Sequence, residues 1–152
     1  MDQGYGVGDV VTLILVFDCV LVSVLVSGDG LSFTIVVLLS FPKTRRLTRD
    51  SDFERVKREG RAERGKLMVL GAVAVKNSGG PRAGFIVSRR LGSTVVRNRV
   101  RRRFREIVRT HQHNLRDDMW IVLVARRSAA NAGYRVLEDE WLRLAKRASI
   151  LL

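Results

Sequence analysis

The amino-acid sequence predicts a small two-layer α/β (α+β) sandwich over residues 42–150, in which helices pack against a central sheet. Three observations predict this fold class. Short runs of β-branched and apolar residues are typical of strands, helical periodicity marks the segments between and after them, and 46% of the residues are apolar. That share is enough for a packed core, and 152 residues are enough for one ordinary domain.

The first 41 residues differ in composition from the rest. Residues 1–42 contain four acids and no Lys or Arg, which leaves 28 basic and 11 acidic residues, a formal +17, on residues 43–152. Because the composition changes at Phe41-Pro42 and proline restricts the residue before it, we predict an apolar acidic extension (1–41) outside the fold. The alternative is a membrane helix in Val10–Val26, although that run is shorter than about 20 residues and contains Asp18. No basic residue precedes the run, which disfavours a secretory signal.

The first helix of the fold is predicted over residues 50–59. Ser51 and Glu54 have the spacing of a capping box, and Gly60 is expected to end the helix with a positive φ. Few of its residues are apolar, so we expect it to lie across a sheet.

Three strands are predicted after it. Leu67–Val75 and Ala83–Ser88 flank a turn and are expected to form a hairpin. Met119–Ala125 is almost entirely apolar, as is typical of a strand buried on both faces.

A helix over Val95–Arg109 separates the second and third strands, with Ser93 or Thr94 as its N-cap. Its apolar residues share an arc of about 120° at 100° per residue, which suits packing on a sheet. The opposite arc carries Asn98, Arg102, Arg105 and Arg109. A last helix is predicted over Ala132–Ala148.

Arginine is concentrated around this central helix, at nine of the 21 positions 89–109. Guanidinium groups match phosphate oxygens in geometry and also stack on bases. A charged helix face can simply be solvated, but seven arginines in residues 97–109 face a single acid, Glu106. Such a surface repels itself and is stabilised by a polyanion, so the sequence predicts nucleic-acid binding.

Other chemistries are less well supported. Gly60–Lys66 fits most of a phosphate-binding loop, but Leu67 replaces the hydroxyl residue and the loop joins a helix to a strand in the wrong order. His111 and His113 are two apart on a helix and are expected to be solvated rather than to bind a metal. The acidic pairs Asp117-Asp118 and Asp139-Glu140 leave open a metal-dependent nuclease. The single cysteine, Cys19, excludes an internal disulfide and suits a reducing compartment.

The segment Val87-Ser-Arg-Arg-Leu-Gly92, followed by Arg97-Asn-Arg-Val-Arg-Arg-Arg-Phe-Arg-Glu106, resembles the signature of the bacterial ribonuclease P protein component. The resemblance extends over about residues 42–148. It implies a sandwich whose Arg-rich helix makes a left-handed crossover between parallel strands, flanked by N- and C-terminal helices.

The resemblance also implies a function. The protein would be a cytoplasmic subunit of a ribonucleoprotein endonuclease that matures the 5′ end of tRNA, monomeric apart from RNA and without a membrane. Its partners would be the catalytic RNA subunit, which uses Mg²⁺, and precursor tRNA, and the protein itself would hold no catalytic residue and no metal. The predicted RNA-binding residues are Arg89, Arg90, Arg97, Asn98, Arg99, Arg101, Arg102, Arg103, Arg105 and Arg109.

The single-stranded 5′ leader of precursor tRNA is expected in a cleft between the first helix and the sheet, at Phe53 and Lys57. Two positions that are often aromatic in the family's cleft are Lys57 and Gly71 here, so leader binding is expected to depend more on charge. The alternative function is a structural RNA-binding protein, ribosomal or chaperone-like, with no role in processing.

Overall fold

The computed structural model describes residues 42–152 and, before them, the backbone of three short strands. These are β1 (Leu15–Phe17), β2 (Val20–Val22) and β3 (Leu38–Leu39), which form an antiparallel sheet in the order β1-β2-β3. The other residues of the run Val10–Val26 lie outside the described residues. In the described part of the chain, no helix is both long and apolar enough to cross a membrane.

Phe41–Leu152 forms a compact unit of three helices and a four-stranded sheet, so the predicted α/β class is confirmed. Whether this unit and the first 41 residues are separate domains stays a prediction. The elements of the unit are α1 (Asp50–Glu59), β4 (Arg61–Arg64), β5 (Met68–Ala74), β6 (Arg82–Ile86), α2 (Thr94–His111), β7 (Met119–Ala125) and α3 (Tyr134–Arg147).

The strand order is β4-β5-β7-β6, and the predicted hairpin between β5 and β6 is therefore wrong. The strand β7, which is almost wholly buried, lies between them, antiparallel to β5 and parallel to β6. An all-apolar strand is most stable in the middle of a sheet, where both faces are covered. The helix α2 connects the parallel pair β6 and β7, as the predicted crossover requires, and its left hand stays a prediction.

The hairpin partner of β5 is β4, which the sequence analysis did not predict. This strand contains no long apolar residue, and its buried side chain is Glu63. The Glu63 carboxylate bonds to Arg61 at 2.9 Å and Arg147 at 2.8 Å. Two guanidinium partners make the burial of this charge possible.

The two faces of the sheet are covered by different helices. Side chains of α2 and α3 pack on one face in the main core, and α1 lies on the other face, so helices cover both faces instead of forming the two layers predicted. The edge strand β6 shows this alternation, because Ala83 and Phe85 belong to the main core whereas Gly84 and Ile86 face α1. Each face of the sheet thus supports a separate surface.

The ends of α1 differ in detail from the prediction, although its span matches. The N-cap is Arg49 and makes no side-chain bond, and Ser51 lies inside the first turn, so the predicted capping box does not form. Gly60 has φ −85°, and the predicted positive φ is wrong. Glycine is needed at position 60 for a steric reason instead, since a Cβ there would stand 2.8 Å from the carbonyl oxygen of Ala72 on β5.

Candidate nucleic-acid interface

The helix α2 is held firmly on the sheet by its apolar face. Val100, Phe104, Ile107 and Val108 are fully buried, as their spacing predicts. At the N-terminus, the Ser93 hydroxyl accepts a hydrogen bond from the Val96 amide at 3.5 Å, which confirms one of the two predicted caps. The polar face is therefore presented in a fixed orientation.

The opposite face of α2 forms one wall of a surface groove of about 610 Å³. Asn98, Arg99 and Arg102 lie in it and are exposed, and Tyr134 of α3 closes the other side. We call this the α2 groove. Its lining residues are Val95, Asn98, Arg99, Arg102, Arg103, Glu106 and Tyr134.

Two predicted binding arginines also make structural contacts. Arg97 donates to the Gly92 carbonyl at 2.7 Å and to the Thr94 hydroxyl at 2.9 Å, which ties the start of α2 to the preceding turn. Arg103 donates to the carbonyl of Ala132 at 2.5 Å and so connects α2 to the segment before α3. Both arginines therefore hold α2 in place through bonds to its neighbouring segments, in addition to carrying charge.

Glu106, the one acid in the lining of the α2 groove, is paired with Arg109. Two of the three guanidinium nitrogens of Arg109 donate to its carboxylate, Nε at 2.9 Å and Nη2 to the other oxygen. The hydrogen bond lowers the pKa of Glu106 and raises that of Arg109. Arg109 therefore brings less net charge to the surface than its position on α2 predicts.

Arg105 is partly buried, although helical spacing places it on the arc opposite the core. Its Nε is buried and has no hydrogen-bond partner among residues 42–152. Burial, followed by repulsion from Arg46, Arg101 and Arg102, lowers the pKa of Arg105. Arg89 and Arg90 are exposed in the turn that leads into α2.

The predicted cleft lies on the other face of the sheet, between α1 and the strands. It encloses about 230 Å³, and both Phe53 and Lys57 line it. The rest of its lining is mostly apolar, and Lys57 Nζ stands 3.5 Å from a carboxylate oxygen of Glu54. The residues that line the cleft are Phe53, Glu54, Val56, Lys57, Ala62, Val69, Gly71, Ile86, Val122 and Val124.

The position of Phe53 depends on a glycine in β6. A Cβ at Gly84 would stand 2.4 Å from the Phe53 ring, so only glycine lets the ring lie this close to the strand. At Gly71, a Cβ would approach a Val56 methyl to 3.3 Å. The cleft therefore keeps one aromatic wall and an apolar floor. The expectation that leader binding depends more on charge stays a prediction.

The sequence analysis missed Tyr134 and Val95 as lining residues of the α2 groove. Tyr134 is the first residue of α3, and its hydroxyl donates a hydrogen bond to Glu138 at 3.3 Å. Val95 gave a usable signal, since an apolar residue on the basic side of α2 is unusual, and it is 68% exposed.

The histidines and acidic pairs have other environments. His111 is not solvated as predicted, because its ring stacks on Trp141 at 5.2 Å and its Nε2 lies 2.9 Å from Glu138. The buried Glu140 accepts a hydrogen bond from the Leu67 amide at 2.7 Å. Within residues 42–152 and the three short strands, no three His, Cys, Asp or Glu residues are grouped so as to hold a metal.

Comparison with known proteins gives a consistent result. The sequence model of the family described as Ribonuclease P matches residues 41–149. The chain is 40% identical over 107 residues to the ribonuclease P protein component of Acidothermus cellulolyticus, covering 70% of this chain and 89% of that one. The corresponding protein of Desulforapulum autotrophicum is 32% identical over 108 residues, covering 71% and 92%.

A solved structure agrees with the sequence relatives. It is a Staphylococcus aureus RNase P protein mutant with defective mRNA degradation activity. The two chains superpose with a TM-score of 0.68 at 25% identity, and the match covers 72% of this chain and 92% of that one.

Proposed function

Because this chain belongs to the ribonuclease P protein family, we propose that its α2 groove binds the RNA subunit of that enzyme and its cleft binds precursor tRNA. The chain is the protein subunit of an endoribonuclease that matures the 5′ end of tRNA. Catalysis in this enzyme belongs to the RNA subunit, so the protein's residues act by binding and positioning. The family membership does not favour a structural RNA-binding protein without a processing role.

The observation that carries the assignment of the α2 groove is its charge. Arg99 and Arg102 are exposed, and neither has an acidic partner among the described residues. The nearest acid in the lining, Glu106, is already paired with Arg109. A phosphate backbone would offset this charge and would gain bidentate hydrogen bonds from the guanidinium groups.

The predicted binding residues fall into two groups. Asn98, Arg99, Arg102 and the turn residues Arg89 and Arg90 are exposed and available for direct contact. Arg97, Arg101, Arg103, Arg105 and Arg109 are partly buried and combine support of the surface with charge. We propose that the first group makes the shorter contacts to the RNA subunit.

For the cleft, the chemistry of its lining favours a base. An unpaired base can stack on Phe53 and cover the apolar floor, while Lys57, which also lines the cleft, can pair with a phosphate of the same strand. A duplex cannot offer a base in this way, so the single-stranded 5′ leader is the part of precursor tRNA that we assign to the cleft.

The metal requirement is assigned to the holoenzyme. Mg²⁺ there would stabilise the charge on the reacting phosphate, a role that the RNA subunit can support. The described residues offer no cluster that fits the ion, so no step is assigned to a metal held by this chain. We also propose, from the resemblance to the bacterial family, that the protein acts in the cytoplasm and is monomeric apart from RNA.

The test is reconstitution. The protein is added to its matched RNA subunit and precursor tRNA at low Mg²⁺, and 5′ cleavage is measured against the RNA alone. We expect a clear gain with the protein, and no gain would favour an RNA-binding protein without a processing role. Cleavage by the protein alone, lost in Asp117→Ala or Asp139→Ala, would instead indicate a free-standing nuclease.

A second measurement tests the electrostatic mechanism. If about six phosphates are contacted, the logarithm of the affinity for the RNA subunit should fall with the logarithm of salt at a slope of about −4 to −5. An affinity that is almost independent of salt would contradict phosphate binding by the α2 groove.

A further inference from the structure

The segment before α1 runs along the open edge of β6 and brings an additional arginine to the sheet. Arg46 forms a parallel bridge with Ala83, and the Leu47 amide donates to the Ala83 carbonyl at 3.0 Å. This backbone pairing fixes the position of Arg46 beside the sheet edge.

The register of the bridge determines the face of the sheet on which the Arg46 side chain lies. Neighbouring residues in an extended segment alternate between the faces, and paired residues of parallel strands share one. Ala83 belongs to the main core under α2, whereas Leu47 packs with the α1 cluster and lies against Gly84. The side chain of Arg46 is therefore on the α2 side.

Arg105 of α2 is the neighbour it meets there. The Arg105 Nε is buried without a hydrogen-bond partner in the described residues, and the residue as a whole is half-buried. Arg101 and Arg102 lie four and three residues before Arg105 on α2, so their side chains are its neighbours on the helix surface. After burial, repulsion from Arg46 and then from these two arginines lowers the pKa of Arg105, as the position of Arg46 on the α2 side requires. No acid contributes to that shift.

We propose that Arg46, Arg101, Arg102 and Arg105 form a phosphate site that binds the backbone of the RNA subunit. The inference rests on the proposed function and adds to it a residue from outside the Arg-rich helix. Four like charges repel one another in the free protein, and a phosphate offsets this repulsion while accepting their N–H groups. A base or an apolar group would leave the repulsion in place.

The position of the site favours the RNA subunit over the leader. The four arginines lie on the α2 side of β6, whereas Phe53 and the rest of the cleft lie on the α1 side. The site therefore continues from the α2 groove, which contains Arg102, to the edge of the sheet at Arg46. A single RNA backbone can contact both.

Arg46→Ala is the test, and Arg45→Ala is its matched control. Arg45 is the adjacent residue and carries the same charge, but its guanidinium lies beside Gly80, in the turn between β5 and β6. We measure the affinity of each full-length variant for the RNA subunit at several salt concentrations. We expect Arg46→Ala to bind about tenfold more weakly, with a salt slope less steep by about 1, and Arg45→Ala to bind like the wild type.

Two further readouts separate binding from folding. The melting temperature of free Arg46→Ala should stay close to that of the wild type, because the backbone bond from Leu47 to Ala83 that holds this segment does not depend on the Arg46 side chain. The double variant Arg46→Ala/Arg102→Ala should lose less affinity than the product of the single losses, since both residues serve one phosphate. A lowered melting temperature with an unchanged salt slope would show a structural role and would overturn the inference.

The outcomes also distinguish this site from the proposed function. An unchanged affinity of Arg46→Ala for the RNA subunit would overturn the phosphate site, while a wild-type protein that still promotes cleavage would leave the function standing. If Arg46→Ala weakens only the binding of precursor tRNA with a 5′ leader, the assignment to the RNA subunit is wrong. A wild-type protein that binds no RNA subunit would overturn both.

Discussion

The two faces of the sheet carry surfaces of opposite character. The α2 groove is wide, about 610 Å³, and is rich in arginine, whereas the cleft under α1 is about 230 Å³ and mostly apolar. The attraction between arginines and a phosphate backbone acts over a distance, for any sequence, and weakens as salt is added. An apolar cleft is filled instead by an unstacked base. We infer that one protein can hold two RNAs because each face is built for a different part of an RNA.

The edge strand β6 makes this separation possible. Its alternate residues serve the two faces, so that Ala83 and Phe85 support α2 while Gly84 supports Phe53. A substitution on one face should therefore change the binding of one RNA with little effect on the other. The predictions below use this independence.

The largest effect is expected for the double variant Arg99→Ala/Arg102→Ala. Each loses a charge-assisted contact worth about 1.5–3 kcal/mol, so affinity for the RNA subunit should fall by about a hundredfold or more. The melting temperature should not change, because both side chains are exposed. Lys146→Ala, which removes an exposed charge from the last turn of α3, is the control and should bind like the wild type. A melting temperature lowered by several degrees in Arg99→Ala would count against its surface role.

The next effect is expected in the cleft. Phe53→Ala removes the aromatic wall, and stacking of a base is worth about 1–3 kcal/mol, so precursor tRNA with a leader should bind at least about fivefold more weakly. The variant should bind mature tRNA, which has no leader, and the RNA subunit as tightly as the wild type does. Equal losses for precursor and mature tRNA would mean that Phe53 does not contact the leader. Gly84→Ala, which displaces the ring, should reproduce the selective loss.

Stability should respond at a site that neither RNA touches. Glu140→Ala leaves the buried Leu67 amide without its partner, which costs about 1–3 kcal/mol of the free energy of unfolding. Denaturant unfolding measures this directly. Affinities for both RNAs, measured where the variant is folded, should stay within about twofold of the wild type. A selective loss of one RNA would show that Glu140 takes part in binding.

The smallest effect is expected at Glu106. Removing its charge in Glu106→Gln frees Arg109 for RNA, so affinity for the RNA subunit should rise a few-fold at neutral pH, and the salt slope should steepen. Its pKa is lowered in the folded protein, so the ion pair stabilises the fold above the ordinary carboxyl value of 4.5 and is lost as pH falls through the lowered pKa. The difference in affinity and stability between variant and wild type should vanish well below pH 4.5. A difference that persists in acid would contradict this account.

Much of the fold follows from local pattern. Met119–Ala125 was predicted with its observed bounds because a long apolar run has few alternatives, and α2 was predicted from the period of its apolar face. Pairing of strands is not local, so the hairpin prediction for β5 and β6 failed once β7 took the central place. The strand β4 went unseen because Arg61-Ala-Glu-Arg has no apolar alternation and depends on Arg147, distant in the sequence.

The site was predictable to a similar extent. Arginine density and helical spacing point to Arg99 and Arg102, which are exposed, but the same spacing also places Arg105 on the exposed arc although it is partly buried. The position of Arg46 depends on a bridge to β6, and that of Tyr134 in the groove depends on how α3 approaches α2. These contacts between distant segments leave no local signal in one sequence.

The claim that the two faces bind two RNAs is tested most directly by crossing variants with ligands. Affinities of Arg99→Ala/Arg102→Ala and of Phe53→Ala are measured for the RNA subunit alone and for precursor tRNA with and without its leader. We predict that the arginine variant loses the RNA subunit but keeps the preference for a leader, and that the Phe53 variant loses that preference but keeps the RNA subunit. Losses of similar size in both variants for both RNAs would contradict the account.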